Sequence, residues 1–128
     1  MQYGNRKADA IGKISEQIVG VALQRCADSG KISGFRKING QGADFLVSLP
    51  DQTEMELEVK SSFSGRRKHK RRYGKDTPVI IVHHWQKAMS MQERESHIYP
   101  AYLRIMNLVD CEMQKHRQAQ SIQTATTA

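Results

Sequence analysis

The sequence predicts a mixed α/β or α+β fold, in which helices flank one mixed central β-sheet. Apolar residues recur at three- and four-residue steps towards both ends of the chain, and they alternate with polar residues in the middle. The predicted order is a helix, three strands, a basic segment, a fourth strand and a helix. The chain has 128 residues, so we expect one domain over 1–118, followed by a disordered tail over 119–128.

The first helix is predicted over 10–27, and Gly30 provides a stop signal after it. Glu16 lies at the border of its apolar stripe. The stripe continues through Val19 and Leu23 on its flank, which widens the face available for packing. Its central members are Ile11, Ile14, Ile18, Ala22 and Cys26.

Three short runs with turn residues between them follow this helix. In the third run, methionine, leucine and valine alternate with glutamate and lysine, which is typical of a strand with one buried face. A three-residue loop joins the second run to the third and predicts a hairpin. The three strands are predicted over 35–39, 43–49 and 53–61.

The remaining elements follow a strongly basic segment over 64–76, which we expect to be a mobile loop or a marginal helix. The apolar run 78–84 predicts a buried central strand. A helix is predicted from Tyr102 to about His116. We expect its apolar side to consist of Leu103, Met106, Val109 and Met113.

The register of the hairpin brings two acidic residues together. A three-residue loop pairs Leu49 with Thr53, and the same register then places Asp44 opposite Glu58. Lys60 lies two residues beyond Glu58, so it projects from the same face of the strand.

Two carboxylates this close repel each other unless a cation lies between them. Mg²⁺ or Mn²⁺ prefers oxygen ligands, and a neighbouring lysine can orient or deprotonate a water molecule. The pattern therefore indicates metal-assisted phosphodiester hydrolysis. The alternative is a solvated strand face, which is how we interpret Glu54 and Glu56.

The motif Gly42-Ala43-Asp44, followed after thirteen residues by Glu58-Val59-Lys60, resembles the PD-(D/E)xK nuclease superfamily. This superfamily has the restriction-endonuclease-like fold shared with archaeal Holliday junction resolvases. The chain has Ala43 where the family name places proline. The resemblance implies that Asp44, Glu58 and the Val59 carbonyl bind the metal and that Lys60 activates water. It also implies that Glu16 holds a metal-bound water or a second ion.

The basic segment accounts for most of the net charge of +7, because six positive charges fall within seven residues. Such a cluster favours binding to the phosphates of nucleic acid, although a solvated charge run is the alternative. Tyr73 could stack on a base. The predicted nucleic-acid-binding residues are Arg66, Arg67, Lys68, His69, Lys70, Arg71, Arg72 and Tyr73.

Two histidines and a tryptophan end the fourth predicted strand. His83 and His84 are adjacent, so only one of them can face the core. Trp85 is expected to be a packing residue. Cys26 and Cys111 lack the spacing of a zinc site and are expected to be free thiols.

We therefore expect a cytoplasmic, Mg²⁺- or Mn²⁺-dependent DNA endonuclease that acts as a homodimer, with branched or structured DNA among its candidate substrates. No apolar run reaches the roughly 18 residues of a membrane span. Two alternatives stay open at this point. One is a nucleic-acid-binding module without catalysis, and the other is an RNA-directed nuclease of the same fold.

Overall fold

The computed structural model describes residues 3–40, 43–62 and 77–127. These residues form an α+β fold with one mixed four-stranded sheet and two helices. The strands lie in the order β1-β2-β3-β4; the first three are antiparallel neighbours, and β4 is parallel to β3. The elements are α1 (Tyr3–Asp28), β1 (Gly34–Gly40), β2 (Ala43–Ser48), β3 (Glu54–Lys60), β4 (Val79–Ile81) and α2 (Met91–Thr127).

Helix α1 contains the whole of the predicted helix and begins seven residues earlier. Its predicted stripe is confirmed: Ile11 is partly buried, and the other four central members are buried. The helix ends where Gly30 adopts a φ of +76°, and the Lys31 N–H donates to the Cys26 carbonyl oxygen at 2.9 Å. A glycine tolerates this left-handed conformation without strain, so the predicted stop signal is confirmed.

The hairpin has the register that the sequence predicts. Val47 lies opposite Met55 and Phe45 opposite Leu57. The Leu49 N–H donates to the Thr53 carbonyl oxygen at 2.9 Å, which closes the loop. Alternating residues of both strands are buried in the core with side chains of α1 and α2: Phe45, Val47, Leu49, Met55, Leu57 and Val59.

This alternation decides where the predicted site lies. The core-forming residues of β2 and β3 point towards the helices, so the residues between them point to the opposite face of the sheet. Asp44, Glu58 and Lys60 belong to this second set. The hairpin thus presents the three side chains on the face turned away from both helices.

Strand β4 is shorter and placed differently from the prediction. The run 78–84 was expected to form a buried central strand, whereas in the described part of the chain β4 spans three residues at the edge of the sheet. Ile80 and Val82 are nevertheless buried in the core. An apolar run therefore indicated burial of side chains correctly, but it carried no information about the number of neighbouring strands.

Helix α2 begins eleven residues before the predicted start, at a capping box. The Glu93 N–H donates to Ser90 Oγ at 3.1 Å, and the Ser90 N–H donates to Glu93 Oε1 at 3.0 Å. Pro100 lies inside the helix, which is why the sequence favoured a start after it. The backbone of 119–127 continues the helix in place of the predicted disordered tail.

The buried side of α2 also differs from the prediction. Leu103 is 42% exposed, so its assignment to the packed side is wrong, while Val109 is buried as predicted. Met106 and Met113, also predicted for this side, are partly buried and pack against the core. The buried residues of α2 are Ile98, Ala101, Ile105 and Val109. Neither described helix is long and apolar enough to cross a membrane.

The far half of α2 is tied to the hairpin loop by a pH-sensitive contact. His116 Nδ1 lies 2.8 Å from Asp51 Oδ2, and the Thr53 hydroxyl donates to Asp51 Oδ1 at 2.5 Å. The hydrogen bond to Asp51 raises the pKa of His116. Hydrogen bonds from Thr53 and then His116 lower the pKa of Asp51 to about 2.

We expect this contact to stabilise the fold most in the mildly acidic range. Because folding raises the pKa of His116, the protonated ring stabilises the fold below pH 6.5, and this stabilisation is lost as the pH rises through the pKa of the folded protein. Because folding lowers the pKa of Asp51, its carboxylate stabilises the fold above pH 3.8, and this stabilisation is lost as the pH falls towards 2. Urea unfolding between pH 3 and 9 should show that His116→Gln is most destabilising near pH 5 to 6. An unfolding difference that does not vary with pH would contradict this assignment.

Candidate active site

Asp44 and Glu58 form a pair of contacting carboxyl groups, here called the carboxylate pair. Their predicted proximity is confirmed, because a side-chain hydrogen bond joins Glu58 to Asp44. Asp44 Oδ2 also accepts a hydrogen bond from the Val59 N–H at 2.8 Å. This bond lies just beyond Phe45 and Leu57, the last residues paired between β2 and β3. The aspartate therefore holds the end of the hairpin together and is oriented by it.

Lys60 contacts this pair from the more open side. Its Nζ lies 3.2 Å from Glu58 Oε1, and its side chain is 29% exposed while that of Glu58 is 7% exposed. The Lys60 carbonyl oxygen accepts a hydrogen bond from the Val82 N–H at 2.9 Å. The strand carrying the lysine is thus fixed on both sides, and the ammonium group can reach a ligand at the mouth of the site.

The electrostatics of the carboxylate pair are unusual for surface acids. Burial, followed by the hydrogen bond and the negative charge of Asp44, raises the pKa of Glu58 to about 7, although Lys60 acts in the opposite direction. A protonated Glu58 can donate a hydrogen bond to Asp44. An ionised Glu58 is disfavoured at this buried position, and a bound cation would stabilise it.

Val59 adds a main-chain oxygen to this environment. In an extended strand the N–H and C=O of one residue point to the same side. Since the Val59 N–H donates to Asp44, its carbonyl also points towards the β2 side. Two carboxyl groups and one carbonyl are the oxygen donors that Mg²⁺ and Mn²⁺ prefer.

Comparison with protein-family models, curated proteins and solved structures finds no match for this chain. A carboxylate pair with one buried member, flanked by an amine, can bind a divalent cation and organise a water molecule next to a phosphate.

Glu16 is the predicted site residue that the structure places elsewhere. Its Oε1 forms an ion pair with Lys37 Nζ on β1, beside a groove of about 370 Å³ that Lys13 and Phe45 also line. Within residues 3–40, 43–62 and 77–127, no three His, Cys, Asp or Glu side chains are grouped closely enough to hold a metal ion. The predicted four-residue constellation is thus reduced to the carboxylate pair and Lys60, and a metal-binding role for Glu16 stays a prediction.

The segment over 64–76 lies outside the described residues, and with it all eight predicted nucleic-acid-binding residues. The histidine prediction is confirmed, since His84 is buried and His83 is exposed. The prediction for Trp85 is wrong, because its side chain is 68% exposed. Cys26 and Cys111 are free thiols, as expected; Cys26 is buried, whereas Cys111 is exposed and not buried or half-buried as predicted.

Sequence reasoning missed a buried polar network beside the site. Ser15 Oγ lies 2.8 Å from Ser61 Oγ and 2.9 Å from His84 Nε2. The Gln86 N–H donates to His84 Nδ1 at 3.1 Å, so Nε2 carries the hydrogen and donates to Ser15. Burial lowers the pKa of His84, which keeps the ring neutral. His84 therefore cannot accept a proton from Ser15 through Nε2, and the network acts by fixing Ser61, the residue after Lys60.

The sequence held only part of the signal for this network. Adjacent histidines at the end of an apolar run indicated that one of them would be buried. Ser15, by contrast, lies within an ordinary helical stripe, and its partners follow 46 and 69 residues later. Such a distant pairing leaves no local pattern in the chain.

Proposed function

We propose that this chain is a metal-dependent DNA endonuclease that hydrolyses phosphodiester bonds, with a restriction-endonuclease-like core and Mg²⁺ or Mn²⁺ as its cofactor. One observation carries the proposal: two carboxyl groups in contact, one of them 5% exposed with a pKa of about 7, lie beside a lysine amine. A solvated strand face does not produce this combination, because exposed acids keep apart and retain ordinary pKa values.

Asp44, Glu58 and the Val59 carbonyl would hold the cation. When bound, it would neutralise charge on the phosphate and make a water molecule more acidic. The surrounding residues orient and shield the groups that would bind the cation. The Val59 N–H orients Asp44, burial keeps bulk water away from Glu58, and Lys60 can donate hydrogen bonds to a phosphate oxygen or to the attacking water.

The preference for nucleic acid comes from the sequence. Six positive charges in seven residues begin at Arg66, six residues after Lys60. Covalent reach alone keeps Arg66 within about 20 Å of Lys60. Contacts from these residues to backbone phosphates would give strong, salt-dependent binding with little sequence preference. Dimerisation would let two such domains grip one duplex, and it is part of the proposal.

The proposal is tested by incubating the purified protein with plasmid DNA, a four-way junction and single-stranded RNA, each with Mg²⁺, Mn²⁺ or EDTA. We expect cutting of DNA that EDTA stops. Asp44→Asn should lower the cutting rate by at least about 10²-fold, whereas Asp110→Asn, on the exposed surface of α2, should cut like the unmodified protein.

Each other outcome selects against the proposal. Salt-sensitive DNA binding without cutting under any metal would identify a binding module in which the acidic pair is structural. Cutting of RNA alone would assign the activity to an RNA-directed nuclease. Equal activity of Asp44→Asn and Asp110→Asn would exclude the carboxylate pair as the site.

A further inference from the structure

The one tryptophan of the chain, Trp85, is exposed and lies four residues after Ile81, the strand partner of Lys60. Trp85 is 68% exposed, although an indole ring carries more apolar surface than any other side chain. Leaving that surface in water forgoes a large gain in free energy. The neighbouring residue His84 is buried, so this part of the chain does place a side chain in the interior. The exposure of Trp85 thus needs a reason other than packing.

The main chain around Trp85 is firmly held. His84, before it, is buried and bonded to Ser15, and its Nδ1 accepts the N–H of Gln86, after it. The Gln86 side chain donates to Glu93 Oε2 at 2.8 Å, and Glu93 belongs to the capping box of α2. Bonds on either side therefore fix the main chain that carries the exposed ring and reduce the backbone entropy that would be lost on binding a ligand.

The ring has an open face. The His83 and Trp85 rings meet at 87° with their centroids 5.4 Å apart, which is an edge-to-face contact. Such a contact takes up at most one face of the indole. The other face is free to receive a flat group of similar size.

Alternating burial after Ile81 indicates that this aromatic pair lies on the same sheet face as the carboxylate pair. Lys60 is the partner of Ile81 in the parallel ladder, so their side chains share a face. Burial alternates onward from there, with Val82 and His84 buried and His83 and Trp85 exposed. The two exposed rings therefore follow Ile81, the partner of Lys60, at two-residue steps on the same face.

We propose that Trp85, steadied by His83, stacks on an unpaired base of the nucleic acid whose backbone lies at Lys60 and the carboxylate pair. This inference rests on the proposed function and names its substrate class: DNA with unpaired nucleotides, such as single strands, bulges and junction centres. A base in a regular duplex is stacked on both sides and offers no face to the indole. Stacking accepts any base, which agrees with binding through phosphates that carry no sequence information.

Because Trp85 is unique, its fluorescence reports on this contact alone when excited at 295 nm. The full chain is titrated in EDTA with a 12-nucleotide oligothymidylate, a blunt 12-base-pair duplex, and the same duplex with one bulged nucleotide. We expect quenching by the single strand and by the bulged duplex but not by the blunt one.

Trp85→Ala should weaken binding of the single strand and the bulged duplex about tenfold and leave the affinity for the blunt duplex unchanged. Trp85→Phe should bind more tightly than Trp85→Ala and so recover part of the loss. Met91→Ala, an exposed apolar control, should bind all three ligands like the unmodified protein.

Two results would overturn the stacking contact. One is equal quenching by all three ligands, or an equal loss for Trp85→Ala on all three. The other is unchanged binding of Trp85→Ala together with a smaller sedimentation mass, which would assign the ring to a contact between copies of the chain. Cutting of the same ligands in Mg²⁺ by the unmodified protein is scored separately, so a missing stacking contact is distinguished from a missing nuclease.

Discussion

Glu58→Gln is expected to make the metal-free protein more stable above pH 7 while it removes the metal-dependent cutting. Holding the ionised Glu58 in the folded protein is unfavourable, because its pKa is about 7 instead of 4.5. That difference corresponds to a cost of up to about 3 kcal/mol, which a neutral amide of the same shape does not incur. The same amide loses the negative charge that a cation needs.

The pH dependence gives this prediction its sign. A carboxyl group whose pKa is raised on folding stabilises the folded state while it is protonated. The free energy of unfolding should fall as the pH rises from about 4.5 to about 7 and stay at the lower level above that. Urea unfolding without metal at pH 4.5 and pH 8 measures the difference, and adding Mg²⁺ at pH 8 should restore part of it.

Glu56→Gln is the matched control, since Glu56 lies on the same strand and the same face but is exposed. It should change neither the stability difference between the two pH values nor the cutting. A Glu58→Gln protein that is less stable than the unmodified protein at pH 8 would mean that the ionised carboxylate is fully compensated without metal, and the cation site would lose its support.

Lys60→Met is expected to lower the cutting rate by roughly 10²- to 10⁴-fold while DNA binding changes little. The methionine keeps much of the apolar stem but removes the amine that lies 3.2 Å from Glu58 Oε1. Since Lys60 lowers the pKa of Glu58, its loss should also move the pH at which Mg²⁺ binds upwards. Single-turnover cutting and metal titrations across pH 6 to 9 measure the two effects.

Lys87→Met removes an exposed lysine close to the end of β4 and serves as the control for simple loss of charge. It should leave the cutting rate within about twofold of the unmodified protein. A Lys60→Met protein that cuts normally but binds DNA many times more weakly would move the lysine from the reaction to phosphate binding.

The parts of the fold that the sequence predicted are those with a local cause. The helix α1 is marked by a repeating apolar stripe and a glycine stop, and the hairpin by strict alternation around a three-residue loop. Because a strand register is fixed once its loop is known, the contact between Asp44 and Glu58 followed from counting residues.

The parts that were wrong or missed depend on distant residues. Pro100 lies within α2, so the residues before it did not look helical in the sequence. The edge position of β4 depends on which strands pair. The metal-binding role of Glu16 was taken from a resemblance to a family motif and stays a prediction, while the ion pair of Glu16 with Lys37, twenty-one residues away, had no signal in the sequence. The exposure of Trp85 is set by the burial of its neighbour His84 and could not be read from composition.

Strand β3 has an antiparallel neighbour on one side and a parallel neighbour on the other. Because the two pairings form at different times, the candidate active site is completed late in folding. Hairpins close within microseconds, but parallel pairing must wait for a long crossover to return. The Glu58 N–H donates to the Pro78 carbonyl oxygen, so the glutamate is locked only after the chain beyond residue 76 has docked. A chain still emerging from the ribosome would therefore carry its basic segment before it carried a finished site. Under the proposed function, we expect such a chain to bind nucleic acid before it can cut it.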